Sequence, residues 1–327
     1  MTAGDTSFLI LCSCLVFVMI PGLGYFYSGL TTSKAALSIL LLCFLTFSVV
    51  LIQWFMFGYS FVFAENGSSF IGDFSNGGFT NLSTADVGSD GPFPDLAYAF
   101  FQSTFAGITP ALVVGAGAEN ARLLPKIVFV FIWTTLVYDF IAYWTWNKHG
   151  WLKVAGSLDF AGGSPVHIAS GSAALAFIMM LGKSKKKQKS TAHSPANVLL
   201  GTMFLWFGWN GFNGGSALSS GPRAAAAIMA TNMAASGGSL AWMLWVYLST
   251  KKFSAIGFCC GTIAGLVSIT PGAGFVNPGF GFIIGFLGSS TCYLGVLVKE
   301  KFEFDDTVLF THIVGCVYCS WCRWIYR

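Results

Sequence analysis

Two histidines inside long apolar stretches are the side chains with the clearest chemical potential in this sequence. His167 is preceded by Asp159, and His312 is preceded by Asp305 and Asp306. An ionisable side chain inside an apolar span is energetically expensive, so we treat both histidines as functional candidates. Imidazole can hydrogen-bond a small ligand or hand on a proton near neutral pH. The alternative is that each histidine makes a structural hydrogen bond between helices.

The residues around His167 predict how it is positioned. Serine suits the N-cap of a helix and proline suits its first position, so Ser164-Pro165 predicts a helix start that places His167 in the first turn. Asp159 then lies in the glycine-rich loop upstream. A carboxylate there can orient the helix start or attract a cation, and we favour a buried structural and electrostatic role over direct ligation.

The two histidine segments belong to a wider internal repeat. Ile108-Thr-Pro110 recurs as Ile269-Thr-Pro271, and in both cases an Asp and then a His follow in the same order. His167 opens the fifth apolar span and His312 lies in the tenth. Because each half has five spans, the halves are inverted in the membrane, an arrangement that builds pathways with a site near the midplane.

Composition requires a membrane to position these residues. The 327 residues are 55% hydrophobic and only 9% charged, with a mean hydropathy of +0.70, whereas soluble domains carry about 25% charged residues. We expect an all-α polytopic bundle, forming one domain over residues 1–327, from apolar stretches of spanning length. The ten predicted spans are 7–30, 36–63, 94–117, 124–145, 165–182, 196–217, 223–249, 254–270, 274–298 and 307–322.

Basic residues predict the orientation. Alternate connections hold twelve of them, and the opposite connections hold only Lys148, Lys153 and Arg223. The positive-inside rule therefore places the N-terminus outside. The acidic 64–95 connection, with sequons at Asn66 and Asn81, falls on the same outer side. The twelve are Lys34, Arg122, Lys126, Lys183, Lys185, Lys186, Lys187, Lys189, Lys251, Lys252, Lys299 and Lys301.

The remaining charged and cysteine-rich segments indicate no other function. The Lys183–Lys189 run is interpreted as a cytosolic topological anchor, with binding of acidic lipid headgroups as the alternative. The spacing of His312, Cys316, Cys319 and Cys322 could suggest zinc, but the surrounding stretch is apolar and we expect no metal. We expect no cofactor and no nucleic-acid partner. No nucleophile–base pair or phosphate loop indicates an enzyme.

Five motifs together resemble the ammonium transporter family (Amt/Mep/Rh), and the fungal Mep-type members are the closest match. The resemblance runs from about residue 5 to about residue 306. The motifs are MIPGLGYFYSGL at 19–30, FQSTFAGITPALVVGAGAE at 101–119, YWTWNKHGWL at 143–152, DFAGGSPVHIASG at 159–171 and GWNGFNGGSAL at 208–218.

The resemblance implies roles residue by residue. Phe105, Trp146 and Ser216 resemble an outer recruitment site for ammonium, where aromatic faces attract a small cation. Phe105 and Phe212 resemble the stacked rings that close the pore. Gln102, one turn from Phe105, is either part of that site or a helix-packing amide.

The resemblance also implies a pore below the rings. His167 and His312 resemble the twin histidines of a dry pore, and Asp159 resembles the acidic residue behind the recruitment site. Further implications are ammonia as the passing species, a plasma-membrane location, a lipid bilayer around the protein and a homotrimer.

The sequence departs from the family pattern at three places. Asp139 stands in the fourth span where the pattern has Asn followed by Pro, and it requires a partner or a proton. The Asp305–His312 interval is two residues short, about 200° of helical rotation, which puts the pore register of His312 in question. The segment after Gly315 no longer resembles the family, and the eleventh helix is missing, so we expect an incomplete C-terminal end.

Three functions are compatible with these observations. The first is ammonium or ammonia transport. The second is an ammonium sensor or regulatory subunit, or an inactive truncated paralogue, that keeps the same fold. The third is another inverted-repeat secondary transporter, for which the only argument is a site near the midplane. Uptake of an ammonium analogue in cells that lack their own transporters separates the first function from the second.

Overall fold

A computed structural model describes residues 3–82, 95–115, 122–181 and 192–302. Within these ranges the chain is helical, and no β-strand is present. The α-helices are Ala3–Leu30 (α1), Ser33–Gln53 (α2), Tyr59–Phe63 (α3), Asp95–Gly115 (α4), Leu123–Trp133 (α5), Asp139–Trp146 (α6), Trp151–Val154 (α7), Ala169–Leu181 (α8), Pro195–Gly215 (α9), Pro222–Thr250 (α10), Ala255–Ile269 (α11) and Pro278–Phe302 (α12).

Nine of the ten predicted spans coincide with helices, and the tenth, 307–322, lies outside the described residues. The predicted all-α polytopic bundle is therefore confirmed. By length and composition, five helical stretches of the described residues could cross a membrane by themselves: Ala3–Leu30, Ser33–Phe63, Asp95–Gly115, Leu123–Val154 and Pro278–Leu297.

Some of the basic residues counted with the connections lie within helices. Lys126 belongs to the first turns of α5 and is only 5% exposed, and Lys299 and Lys301 belong to α12. Helices continue past the end of an apolar stretch because a lysine stem can pack on apolar surface while its amine reaches the boundary. These lysines therefore stand at helix ends and not in the loops beyond them. The Lys183–Lys189 run lies outside the described residues.

Two of the helical spans are interrupted in the middle by a π-helical turn. The turn Trp54–Gly58 joins α2 to α3, and the turn Thr134–Tyr138 joins α5 to α6. Gln53 immediately precedes the first turn and Asp139 immediately follows the second, and the Gln53 amide lies 2.6 Å from Asp139 Oδ2. Asp139 is fully buried, so Gln53 is the partner that an acid inside a span requires.

The two halves of the bundle meet along α1 and α9, the first helices of the two repeats. Gly22 and Gly201 allow this approach: a Cβ on Gly22 would lie 2.8 Å from Phe204 Cβ, and one on Gly201 would lie 2.3 Å from the Phe26 nitrogen. Small residues are typical of helix interfaces in membranes, where close backbone packing replaces the hydrophobic effect.

The repeated Ile-Thr-Pro motif has related local structure in both halves. Thr109 and Thr270 are fully buried, and each hydroxyl donates to a carbonyl one turn earlier, that of Phe105 at 2.7 Å and that of Leu266 at 2.8 Å. Pro110 lies inside α4, whereas the second motif ends α11. The motif thus marks the same feature twice, a polar turn inside an apolar helix.

The connection after α3 is fastened to α6. The Trp144 indole donates to the Phe70 carbonyl at 2.9 Å, and the Asn147 amide donates to the Val62 carbonyl at 2.8 Å. Tyr143 also donates its hydroxyl to the Ser68 carbonyl. These bonds fix the end of α6, which carries Trp146.

Candidate functional site

Two phenylalanines from different halves of the chain form the centre of the site. The rings of Phe105, midway along α4, and Phe212, near the end of α9, have centroids 4.2 Å apart and planes inclined by 34°. Each side chain is 1% exposed. Side chains predicted from two separate motifs are therefore brought together as a buried aromatic pair between α4 and α9.

Trp146 stands on one side of this pair. Its ring meets Phe105 edge to face, with centroids 6.0 Å apart and planes at 87°. Trp146 ends α6 and is half-buried. Ser216 follows the last residue of α9 and donates its hydroxyl to the Phe212 carbonyl at 2.8 Å. The three residues predicted for outer recruitment thus all adjoin the aromatic pair.

His167 also stacks against Phe212. Its ring is nearly parallel to that of Phe212, with centroids 6.1 Å apart, and to that of Trp209 at 5.5 Å. The histidine is 1% exposed. The imidazole is therefore held in a stack of aromatic rings, away from bulk water.

The helix that carries His167 begins differently from the prediction. It opens with a π-helical turn, Gly163–Ile168, one residue before Ser164, and Ser164 is not its N-cap. The cap is supplied by Asp159 instead: Oδ1 accepts from the Gly162 nitrogen at 2.8 Å and the Gly163 nitrogen at 2.7 Å, and Oδ2 accepts from the Ser164 nitrogen at 2.6 Å. A carboxylate reaches three amides where a serine hydroxyl reaches one.

The Asp159 loop also touches the recruitment side. Gly162 has φ of 108°, and a Cβ there would lie 3.1 Å from the Trp146 ring. Burial raises the pKa of the Asp159 carboxyl, and the three backbone N–H donors act in the opposite direction by stabilising the carboxylate. The loop that Asp159 fastens therefore approaches Trp146 at Gly162 and leads directly into the helix that carries His167.

A narrow cavity of about 10 Å³ lies beside His167 and Phe212. A volume of this size holds roughly one water-sized molecule. Most of its wall is apolar, and Tyr27, which donates to the Leu112 carbonyl at 3.3 Å, contributes a ring. The lining residues are Met19, Leu23, Phe26, Tyr27, Ile108, Leu112, Val166, His167, Leu205, Trp209, Phe212 and Ile263.

Trp209 is a site residue that the sequence analysis does not single out. Its indole donates to the Thr270 hydroxyl at 2.9 Å, which fixes the ring against His167. The sequence feature that could have identified Trp209 is its position three residues before Phe212, on the same helix face and inside the GWNGFNGGSAL motif. Gln102 donates to the Tyr98 hydroxyl at 3.0 Å, as a packing amide would. His312 lies outside the described residues.

The sequence that forms this site matches a protein-family model. The model described as "Ammonium Transporter Family" matches residues 7–324. The chain belongs to the ammonium transporter family. Among curated relatives, Ammonium transporter 1 of Schizosaccharomyces pombe is 45% identical over 307 residues, which is 93% of this chain and 62% of the relative. Ammonium transporter MEP2 of Saccharomyces cerevisiae is 45% identical over 300 residues, 89% of this chain and 60% of that protein. The chain thus spans about three fifths of the length of these relatives.

Solved structures of the ammonium transporter family share the fold. The crystal structure of Candida albicans Mep2 gives a TM-score of 0.91 at 42% identity, covering 98% of this chain and 72% of that one. Mep2 of Saccharomyces cerevisiae gives 0.90 at 42% identity, covering 98% of this chain and 75% of that one. A sensor Amt protein gives 0.89 at 28% identity, covering 98% of this chain and 82% of that one.

Proposed function

We propose that this chain transports ammonium across a membrane by passing it as ammonia. The observation that carries the proposal is the apolar cavity of about 10 Å³ beside the buried His167, adjoining the Phe105–Phe212 pair. Such a cavity suits a neutral molecule the size of water and disfavours a hydrated ion. Membership of the ammonium transporter family names the substrate.

The recruitment step uses the outer side of the aromatic pair. Trp146, Phe105 and Ser216 offer two aromatic rings and a hydroxyl oxygen to a small cation. An ammonium ion over an aromatic face gains about 0.5–2 kcal/mol, more as the site is desolvated. Potassium carries the same charge as ammonium but donates no hydrogen bond, so the Ser216 hydroxyl is the contact at which we expect the two ions to be distinguished.

Deprotonation, in which ammonium releases its proton to water on the Trp146 side of the aromatic pair, follows from the energetics of the apolar cavity. Moving an unpaired ammonium ion into a medium of low dielectric constant costs on the order of tens of kcal/mol, whereas neutral ammonia avoids that penalty. The Phe105–Phe212 pair must open for each passage. His167 then hydrogen-bonds the neutral species, because its stacking on Trp209 and Phe212 fixes the direction in which its ring nitrogens point.

Sensing is the second candidate function. It is favoured by the likeness to a sensor Amt protein, because the match between the two structures covers 98% of this chain. Sensing requires recruitment of ammonium but no flux through the cavity. The two functions are therefore separated by flux, not by binding.

Uptake of the analogue methylammonium tests transport. The full chain and His167→Ala are expressed at matched abundance in cells that lack ammonium transporters. We expect saturable uptake by the full chain and its loss in His167→Ala. Binding of ammonium to the purified chain without any uptake would reject transport in favour of sensing.

Trp146→Leu tests the recruitment site. Removing the aromatic face should raise KM for methylammonium about fivefold, with a smaller change in kcat, because a cation–π contact of about 1 kcal/mol is lost before the narrow passage. The matched control is Trp151→Leu, at an exposed tryptophan of α7 whose ring centroid lies 5.8 Å from that of Trp144. An unchanged concentration dependence in Trp146→Leu would remove Trp146 from recruitment.

We also propose a plasma-membrane location with the N-terminus outside, and a homotrimer. The orientation follows from the distribution of basic residues between opposite connections. Single cysteines at Ser69 and Lys252, both exposed and on opposite sides in this topology, test it in intact cells. An impermeant thiol reagent should label Ser69→Cys and spare Lys252→Cys, beyond the background of the parent chain. The reverse pattern would invert the topology.

A further inference from the structure

Arg223 makes an unusual set of contacts for an exposed side chain. It is the second residue of α10, and its guanidinium carbon lies 5.1 Å from the Phe160 ring centre and 5.0 Å from the Phe275 ring centre. Its Nε donates to the Gly274 carbonyl at 3.1 Å. Two aromatic rings and a carbonyl oxygen therefore surround one planar cation.

The two rings belong to different connections. Phe160 lies in the loop before the His167 helix, and Phe275 lies in the turn between α11 and α12. The Phe160 nitrogen donates to the Pro271 carbonyl at 2.9 Å, and the rings of Phe160 and Phe275 meet edge to face at 5.5 Å. A Cβ on Gly274 would lie 2.0 Å from the Phe160 ring, so the contact is already as close as glycine permits.

Phe160 directly follows Asp159, whose carboxylate caps the turn that carries His167. A shift of Phe160 therefore moves the three N–H bonds of that cap. Each ring contact of an exposed cation is weak by itself. A guanidinium that contacts both rings and the Gly274 carbonyl ties the Phe160 loop to the turn after α11, and a lysine amine cannot reproduce the planar stacking.

We propose that Arg223 is a positioning residue that clamps the Asp159–Phe160 loop to the turn after α11, and through this loop fixes the His167 helix. The residue does not touch the substrate. The effect on uptake rests on the proposed transport function, whereas the clamp itself does not.

The first test measures the clamp without transport. Hydrogen–deuterium exchange of the purified full chain is followed by mass spectrometry for peptides that cover residues 157–166. Arg223→Ala should speed exchange there about tenfold, because the loop opens more often. Arg122→Ala, which removes an exposed arginine from the N-cap of α5, is the charge-matched control and should leave these peptides unchanged. Equal exchange in Arg223→Ala and the parent chain would overturn the clamp.

The second test measures its effect on uptake. Arg223→Ala should lower kcat/KM for methylammonium about tenfold, and Arg223→Lys should recover only part of it. Millimolar guanidinium should restore uptake by Arg223→Ala, because the vacated rings and carbonyl form a site for a planar cation. The same concentration is applied to the parent chain to correct for competition.

The outcomes separate the two proposals. Faster exchange with no uptake by the parent chain supports the clamp and rejects transport. Uptake by the parent chain with unchanged uptake by Arg223→Ala rejects the link from the clamp to His167. Reduced uptake that guanidinium does not restore, with unchanged exchange, rejects the clamp.

Discussion

Replacing Asp159 with alanine should lower kcat/KM for uptake by at least about 100-fold. The carboxylate accepts three backbone N–H bonds of 2.6–2.8 Å at the start of the His167 helix. A hydrogen bond to a charged group contributes about 1.5–3 kcal/mol, so the loss of two of the three bonds corresponds to a factor of at least about 100. The measurement is methylammonium uptake at matched membrane abundance.

Two further variants separate the roles of Asp159. Asp73→Ala is the matched control, because Asp73 also accepts from a backbone nitrogen, that of Ser75 at 2.9 Å, but in the connection after α3. It should retain full uptake. Asp159→Asn keeps one acceptor oxygen and turns an amide toward the Ser164 nitrogen. If Asp159→Asn matches the parent chain, neither the charge of Asp159 nor its third bond is required.

Replacing Gln53 with methionine should destabilise the protein by about 2–4 kcal/mol, since removing one partner leaves a fully buried acid without its bond. Gln53 is the partner of Asp139, with the amide nitrogen 2.6 Å from Oδ2. Methionine has nearly the same length and shape, so packing changes little. The measurement is thermal unfolding of the purified protein in detergent, monitored by loss of the folded peak on size exclusion.

Asp139→Asn, in contrast, should leave the stability of the protein equal to that of the parent chain or raise it. An asparagine has no charge to bury, and its amide can also donate to the Gln53 carbonyl oxygen, which has no hydrogen-bond partner within the described residues. The double variant Gln53→Met with Asp139→Leu should recover most of the loss of the single variant. If Gln53→Met unfolds at the same temperature as the parent chain, the pair does not stabilise the fold.

Much of the fold could be predicted from the sequence because its determinants are local. An apolar stretch of spanning length forms a helix in lipid, where every backbone polar group must be satisfied internally. This rule alone predicts the helices around 7–30, 36–63 and 196–217, within a few residues of their ends. Phe105, Trp146, His167 and Phe212 could be named from the sequence because they lie within its motifs, and their roles in transport stay a prediction.

Only the tertiary structure decided how those residues meet. The prediction of Ser164 as a cap failed because a carboxylate that lies five residues earlier competes successfully for the same amides. Trp209 became a site residue through its contacts with His167 and Thr270, neither of which its own helix indicates.

The pairing of Gln53 with Asp139 has the same origin. The two residues are 86 positions apart, and each adjoins a π-helical turn that no local sequence pattern predicts. The sequence by itself determined which segments are helical and which side chains are available, because bilayer length and local hydrogen bonding set both. Partners, helix starts and π-helical turns were decided by packing, because they depend on side chains that only the folded bundle brings within reach.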